Sequence, residues 1–429
     1  MKKRKIVVVG GGFAGVNFCQ ELANHQGFEV TLVDKNNYNF FPPLLYQVAT
    51  GFLEASNISY PFRKLFHHKS NLRFCLATMN RIIPETKQVV TDSCVLDYDE
   101  LILASGTVTN YFGMENVKAH AVPMKTVEDA LAMRNHLLSK VEQATKTKDP
   151  LIRERLLTVV VAGAGPTGVE VSGMLAEMNK NIFKKDYPEL EGQSLKIYLV
   201  DALPTVLAPM QEKSRMETLG YLKELGIEVL LNHMVKDYQN HQVLFADDKT
   251  LRTETLIWTS GVVVPPIEGI RSDASGKGGR LLVSGINQVN GYDHIYALGD
   301  ICLMHDDPAF PNGHPQLAQV AIQQAELLAK NMKKYDSDEE FKTFRYNDRG
   351  SMAIVGVNKA VADLPKVHFK GFIAYFLWLF VHLFSLIQYR NQVKTFYNWM
   401  IAFVTRDQSL RFIMRPKVKT EELETYKVE

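Results

Sequence analysis

The sequence predicts an α/β protein with two parallel-sheet units and an apolar C-terminal tail. Three stretches carry that reading: the glycine turn "VVGGGFAG" at 8–15, a second turn "GAGPTGVE" at 163–170, and the run "GFIAYFLWLFVHLFSLI" at 371–387. A chain of 429 residues is longer than one hydrophobic core usually serves, so two or three domains are expected. The makeup, 46% hydrophobic and 22% charged, is that of a folded globular protein. A net charge of +2 gives no support to a nucleic-acid binder.

The N-terminus reads strand, turn, helix, strand: "KIVVV", "GGGFAG", "VNFCQELANH", "EVTLVD". A short apolar run, a glycine turn and a periodic helix make a βαβ unit, hence a parallel sheet covered on both faces. Residues 89–104 read as a hairpin feeding a buried strand, and 126–145 as a polar-apolar helix. A second βαβ unit runs from "RLLTVVVAGAG" to Asp201, followed by a helix at 212–225, "GIEVLLN" and "TLIWTSGV". After Pro265 and Pro266 the chain returns to a strand, "HIYALGD", and a helix whose start Pro315 announces. The four cysteines lie at least 19 residues apart with no CxxC pair, and read as reduced, mostly buried thiols. No cluster with metal-ligand spacing is visible, and His67-His68 reads as a surface pair.

The run at 371–387 has only His382 and Ser385 as clearly polar residues. Seventeen residues span ~25 Å as a helix, short of a ~30 Å hydrocarbon core. An in-plane membrane helix, a buried core helix and a true span are all open, the first favoured by length and flanks. The following "VKTFYNWMIAFV" carries an apolar stripe at 396, 397, 400, 401 and 404. Between Lys366 and Lys419 stand nine Lys or Arg against one acid, Asp407, a charge of +8 that leaves −6 for the rest. A basic, apolar tail fits an anionic membrane surface.

Gly10, Gly12 and Gly15 follow a strand and open a helix, the context in which GxGxxG is informative. The first glycine makes the tight turn, the second lets backbone approach a pyrophosphate, and the third lets helix and strand pack. The helix N-terminus offers free N–H groups to the phosphates. Asp34, 19 residues past Gly15, sits where a carboxylate accepts from ribose hydroxyls. Gly163, Gly165 and Gly168 repeat the pattern, with Asp201 at 33 residues because of the insert "NKNIFKKDYPELEGQ". An acid there, without Arg or Lys beside it, favours NADH over NADPH. Two turns mean two dinucleotides, and "YALGD", with Asp300 at a strand end, is the pattern by which two-dinucleotide flavoproteins hold a flavin ribityl chain.

Taken in order, "VVGGGFAG", "FFPPLLYQVATG", "SGTVTNYFG", "VVAGAGPTGVE", "YALGD", "AQVAIQ", "GSMAIVGVNKAV" and "HLFSLIQYRN" resemble the type II NADH dehydrogenases, single-subunit NADH:quinone oxidoreductases that pump no protons. The resemblance spans essentially the whole chain. It implies a glutathione-reductase-like flavoprotein: two Rossmann-like dinucleotide-binding domains plus C-terminal membrane-anchoring helices. The expected boundaries are 1–112 and 265–335 for the FAD domain, 113–264 for the NADH domain, and 336–429 for the membrane and quinone region. By motif, Gly10, Gly12, Gly15, Asp34 and Asp300 would bind FAD, and Gly163, Gly165, Gly168 and Asp201 would bind NADH. Glu170 would sit at the nicotinamide–flavin contact, and Gln319 and Gln323, one helical turn apart, would face the quinone. A first-turn helix acid stabilised by the dipole is the plainer reading of Glu170. The expected partners are quinone and the cytoplasmic face of the cell membrane, held peripherally through 371–411, and the family's dimers extend the expectation to a homodimer. A membrane-docked flavoprotein sensor and a soluble flavin reductase with another acceptor are the competing classes. A disulfide acceptor requires a cysteine pair that the spacing does not suggest.

Overall fold

The computed structural model describes residues 3–190, 192–334, 340–405 and 410–414. Two five-stranded parallel sheets form its frame. In the first, Arg4–Val9 is central between Phe28–Asp34 and Glu100–Leu103, with Leu72–Leu76 and Ile295–Ala297 at the edges. In the second, Thr158–Ala162 is central between Lys196–Val200 and Thr255–Trp258, with Glu228–Leu230 and Val122–Pro123 at the edges. Both faces of each sheet are buried, as continuous apolar strands require. Ile6 and Val8 join one core while Val7 and Val9 join another; Val159 and Val161 part from Val160 and Ala162 in the same way.

The two units share more than their first βαβ. In each, a three-stranded antiparallel meander precedes the strand that returns beside the centre: Met79–Ile83, Gln88–Thr91 and Val95–Asp97 in the first, Val235–Gln239, Gln242–Phe245 and Thr250–Arg252 in the second. The hairpin expected at 89–104 is thus the last two strands of a meander. Helix Val127–Lys146 bridges the units. Thr126 caps it, accepting from the Asp129 N–H at 3.1 Å while the Asp129 carboxylate accepts from the Thr126 N–H at 2.8 Å. Ala130, Met133, Leu137, Val141 and Ala144 bury one face of it.

A third sheet, Ser351–Gly356, Lys359–Asp363 and His368–Lys370, lies against helix Pro166–Met178. The approach is backbone to backbone: a Cβ on Gly173 would overlap the Val355 carbonyl. Two helices follow, Gly371–Phe384 and Tyr389–Thr405. Among the described residues no helix is long and apolar enough to cross a membrane.

Two expectations need correction, at Pro315 and at the cysteines. The helix announced by Pro315 begins at Ala318, because the Gln316 amide is held out of it, donating to the Asp300 carbonyl at 3.0 Å. In the C-terminal run Tyr375, Trp378 and His382 turn inward, Trp378 fully buried, while Phe372, Ile373, Phe376, Phe380 and Phe384 are exposed. The cysteines, expected to be mostly buried, divide evenly: Cys19 and Cys302 are buried, whereas Cys75 and Cys94 are half-buried with their Sγ atoms 3.8 Å apart. Of the basic tail, Arg406, Arg415, Lys417 and Lys419, with Asp407, lie outside the described residues.

Candidate functional site

The two glycine turns have the same geometry. Gly10 and Gly163 adopt positive φ, 101° and 109°, a region open to glycine at little cost. A Cβ on Gly15 or Gly168 would overlap the carbonyl of Gly10 or Gly163, so the third glycine lets helix and turn close. At Gly12 and Gly165 a Cβ would meet nothing within 4 Å. The first and third glycines are therefore needed for packing, and the second faces open space at the N-terminus of a helix. Neither Phe13–Glu21 nor Pro166–Met178 has a side-chain cap, which leaves their first N–H groups for an anion.

The carboxylates beside the turns match as closely. Asp34 accepts from the Gly11 N–H at 2.6 Å and the Asn36 N–H at 2.7 Å. Asp201 accepts from the Ala164 N–H at 2.6 Å and the Leu203 N–H at 2.8 Å. Each oxygen uses one lone pair in this way, leaving acceptor capacity for ribose hydroxyls. Burial raises the Asp34 carboxyl above its usual pKa, against the opposing pull of the Asn36 and Gly11 N–H groups and Lys35. The chemistry and shape of both turns fit a dinucleotide.

Asp300 lies in the 3-10 turn Gly299–Ile301 that follows strand Ile295–Ala297 and comes to the first turn, not the second. A Cβ on Gly299 would stand 3.2 Å from the Ala321 Cβ and 3.5 Å from that of Ala14, so the first-turn helix and helix Ala318–Met332 converge there. Thr107 donates toward the Asp300 carboxylate at 3.4 Å and accepts from Lys125 Nζ at 2.9 Å. Burial lowers the Lys125 ammonium below its usual pKa, and Asp300 partly offsets this. Gln324, fully buried, accepts from the Gly299 N–H at 2.8 Å and pins the turn. Sequence reading missed these three; Thr107 lies in the quoted "SGTVTNYFG", whereas nothing local marks Lys125 or Gln324.

Gln319 and Gln323 do share a face, and both amides are occupied. Gln319 donates to the Gly350 carbonyl at 2.9 Å and accepts from the Arg349 N–H at 3.2 Å. Gln323 bonds the Asn347 carbonyl and N–H at 2.9 and 3.0 Å. In this state they strap the segment ahead of the C-terminal sheet onto the helix.

Glu170 lies beyond the first turn of its helix, which has no acid, so the dipole reading does not account for it. The carboxyl is buried, and burial raises its pKa well above the usual value despite the Ile354 N–H that bonds it. It faces strand Ser351–Gly356 on one side and the buried phenol of Tyr46 on another. Tyr46 accepts from Gln47 Nε2 at 2.9 Å, and Gln47 accepts from Trp399 Nε1 at 2.8 Å. Trp378 sits against Tyr46 and stacks on His382 with ring centroids 3.8 Å apart. Desolvation pushes His382 down to about 4, so it is neutral at pH 7. A buried polar and aromatic path thus leads from Glu170 into both C-terminal helices.

Beneath that path the helices present an uncovered apolar surface. Phe372, Ile373, Phe376, Phe380 and Phe384 on one, and Phe396, Tyr397, Met400, Ile401 and Val404 on the other, are each at least 41% exposed. Monomeric soluble proteins rarely leave so many large apolar side chains together in water.

Residues 4–325 match the family model described as pyridine nucleotide-disulphide oxidoreductase, and residues 349–407 match the NDH2 C-terminal domain. The paired glycine cradles on duplicated parallel sheets belong to a flavoprotein that uses pyridine nucleotide. Two curated type II NADH:quinone oxidoreductases of Mycobacterium tuberculosis are 32% and 34% identical to it over 419 and 421 residues, covering 94% of this chain and 89% and 88% of theirs. The Staphylococcus aureus enzyme of the same name is 29% identical over 372 residues, 84% of this chain and 89% of its own. The structure of NDH2 from Plasmodium falciparum in complex with NADH superposes with a TM-score of 0.86 at 22% identity, over 96% of this chain and 100% of that one, a likeness of fold. This chain belongs to the type II NADH:quinone oxidoreductase family. Its members are peripheral membrane enzymes that pass electrons from NADH through FAD to quinone without pumping protons.

Proposed function

We propose that this chain oxidises NADH at the second glycine turn and reduces a membrane quinone, with FAD held by the first turn. Bound there, FAD would supply hydride acceptance and electron delivery, and the protein supplies orientation, electrostatics and access. Gly10, Gly12, Gly15 and Asp34 would hold the adenosine diphosphate half of FAD, and Asp300, backed by Thr107 and Lys125, would take the ribityl chain. Gly163, Gly165, Gly168 and Asp201 grip NADH, whose 2′-hydroxyl suits the Asp201 carboxylate; a 2′-phosphate would be repelled. Gln319 and Gln323 would release the 347–350 backbone to meet quinone carbonyls.

One observation carries the reading: Glu170 is a desolvated carboxyl between the nicotinamide turn and the C-terminal sheet. Burial that favours the neutral form makes it a proton donor matched to a reaction that consumes protons. The uncovered apolar face is assigned to the bilayer on the cytoplasmic side rather than to a homodimer core. Exposed Arg390 and half-buried Lys394 stand beside it, where anionic head groups would attract them. Anaerobic stopped-flow absorbance tests the whole. NADH should bleach the flavin band of the purified protein, and a short-chain quinone should restore it rapidly. Bleaching without return would remove quinone as the acceptor.

A further inference from the structure

Two thiols that the nucleotide sites leave unused meet at the edge of the first sheet. Cys75 lies in strand Leu72–Leu76 and pairs in register with Val33, beside the pairing of Leu76 with Asp34. Cys94 ends the tight turn Thr91–Cys94, in which the Thr91 N–H donates to the Cys94 carbonyl at 2.9 Å. The Sγ–Sγ distance of 3.8 Å is van der Waals contact, and side-chain rotation with a small backbone shift would reach the ~2.05 Å of a disulfide. Both thiols are half-buried, whereas Cys19 and Cys302 are buried.

The two sulfurs are unequal. The Thr91 and Ser93 hydroxyls approach Cys94 Sγ at 3.5 and 4.0 Å. Led by the Thr91 contact, these hydroxyls favour the thiolate and hold Cys94 below its usual pKa, while burial raises Cys75. That is the asymmetry of an attacking and a resolving cysteine. The backbone already registers the two segments: the Ala77 N–H donates to the Asp34 carbonyl at 3.0 Å and the Asp92 N–H to the Thr78 carbonyl at 3.0 Å. The pair is no partner for electron exchange with a flavin ring near Asp300. Strand Leu72–Leu76, which carries Cys75, and strand Ile295–Ala297, which leads to Asp300, are opposite edges of a five-stranded sheet, four spacings or ~19 Å apart.

We propose that Cys75 and Cys94 form an oxidant-responsive modification site, in which a hydroperoxide closes a reversible disulfide that ties the edge strand beside Asp34 to the meander turn. The Cys94 thiolate attacks the terminal peroxide oxygen, the O–O bond breaks, and the alkoxide or hydroxide leaves with a proton as alcohol or water. Cys94 becomes a sulfenic acid. The Cys75 sulfur then displaces hydroxide from it, and the Cys75 proton leaves with that hydroxide as water. The two sulfurs together give up two electrons, which the hydroperoxide takes. The effect on flavin rests on the reading of Asp34 as an FAD ligand; the cross-link itself does not.

The test uses the flavin-loaded full chain, treated with hydrogen peroxide, alkylated, digested and mapped by mass. One Cys75–Cys94 cross-link is expected, reversed by dithiothreitol and absent from Cys75→Ser and Cys94→Ser. Thiols that still alkylate after peroxide, or cross-links only between chains, overturn the site. Flavin fluorescence released in mild chaotrope is then followed for oxidised and reduced protein. Release should be several-fold slower from the oxidised form, with no such difference in Cys94→Ser. A formed cross-link with unchanged release overturns the clamp, and flavin retained by Asp34→Ala would show instead that the reading of Asp34 had failed.

Discussion

Replacing Phe380 and Phe384 together by serine tests the assignment of the apolar face to the bilayer. The two rings lie one helical turn apart with centroids at 4.6 Å and are 61% and 62% exposed. Full burial of a phenylalanine is worth ~1.5–3 kcal/mol, and about three-fifths of that remains to be gained by each ring on docking. The pair then contributes about 2–4 kcal/mol to membrane attachment, or roughly 30- to 700-fold in partitioning. Co-sedimentation with liposomes containing anionic lipid measures it. Met216→Ser is the control, since Met216 is 64% exposed but lies on helix Glu212–Glu224. Because neither ring is in the core, thermal unfolding of the double variant in the absence of lipid should be nearly unchanged. Partitioning equal to that of the parent would refute the bilayer assignment and turn attention to a second copy of the chain as the cover.

Glu170→Gln keeps the size and can still accept from the Ile354 N–H, but cannot donate an acidic proton. In stopped flow, reduction by NADH should keep its rate while reoxidation by quinone slows by ~10²–10⁴; equal slowing of both steps, or of neither, would contradict the role. The same variant reads the buried acid by stability. Glu170 titrates higher folded than unfolded, so from about pH 4.3 upward folding takes up a proton and the parent loses stability as pH rises. The unfolding midpoint of Glu170→Gln should exceed the parent's at pH 8, with the gap closing toward pH 4; a constant gap would mean that the carboxyl titrates normally. The open second glycines separate the two nucleotides: Gly12→Val should purify without flavin, whereas Gly165→Val should keep flavin and fail to bleach with NADH. Loss of flavin from both would mean that the turns do not serve separate dinucleotides.

What the sequence disclosed was local. Each glycine turn sits between an apolar strand and a periodic helix, and the spacing to Asp34 and Asp201 is fixed within one unit, so both turns and both acids could be read off directly. The meanders repeat between the units, yet their strands are three to five residues long and mix polar with apolar positions, too short for a period to stand out. The Cys75–Cys94 contact depends on how the meander folds back on a parallel edge strand, which spacing along the chain does not record. In the C-terminal run, the polar atoms of Trp378 and His382 suggested nothing about depth. Tyr46 and Trp399, both distant in sequence, decide that this stripe is the buried one. The spacing of Gln319 and Gln323 placed them on one face, but it could not show that residues 347–350 already occupy their amides.

Gly173 has a consequence for how the two substrates meet. At Gly173 only backbone separates helix Pro166–Met178 from the Val355 carbonyl, so at that crossing no rotamer can absorb a displacement. The second glycine turn and the sheet that leads into the two C-terminal helices are therefore joined stiffly at that point. On the proposed function, that crossing would set the separation between the NADH site and the membrane-facing side when the chain folds.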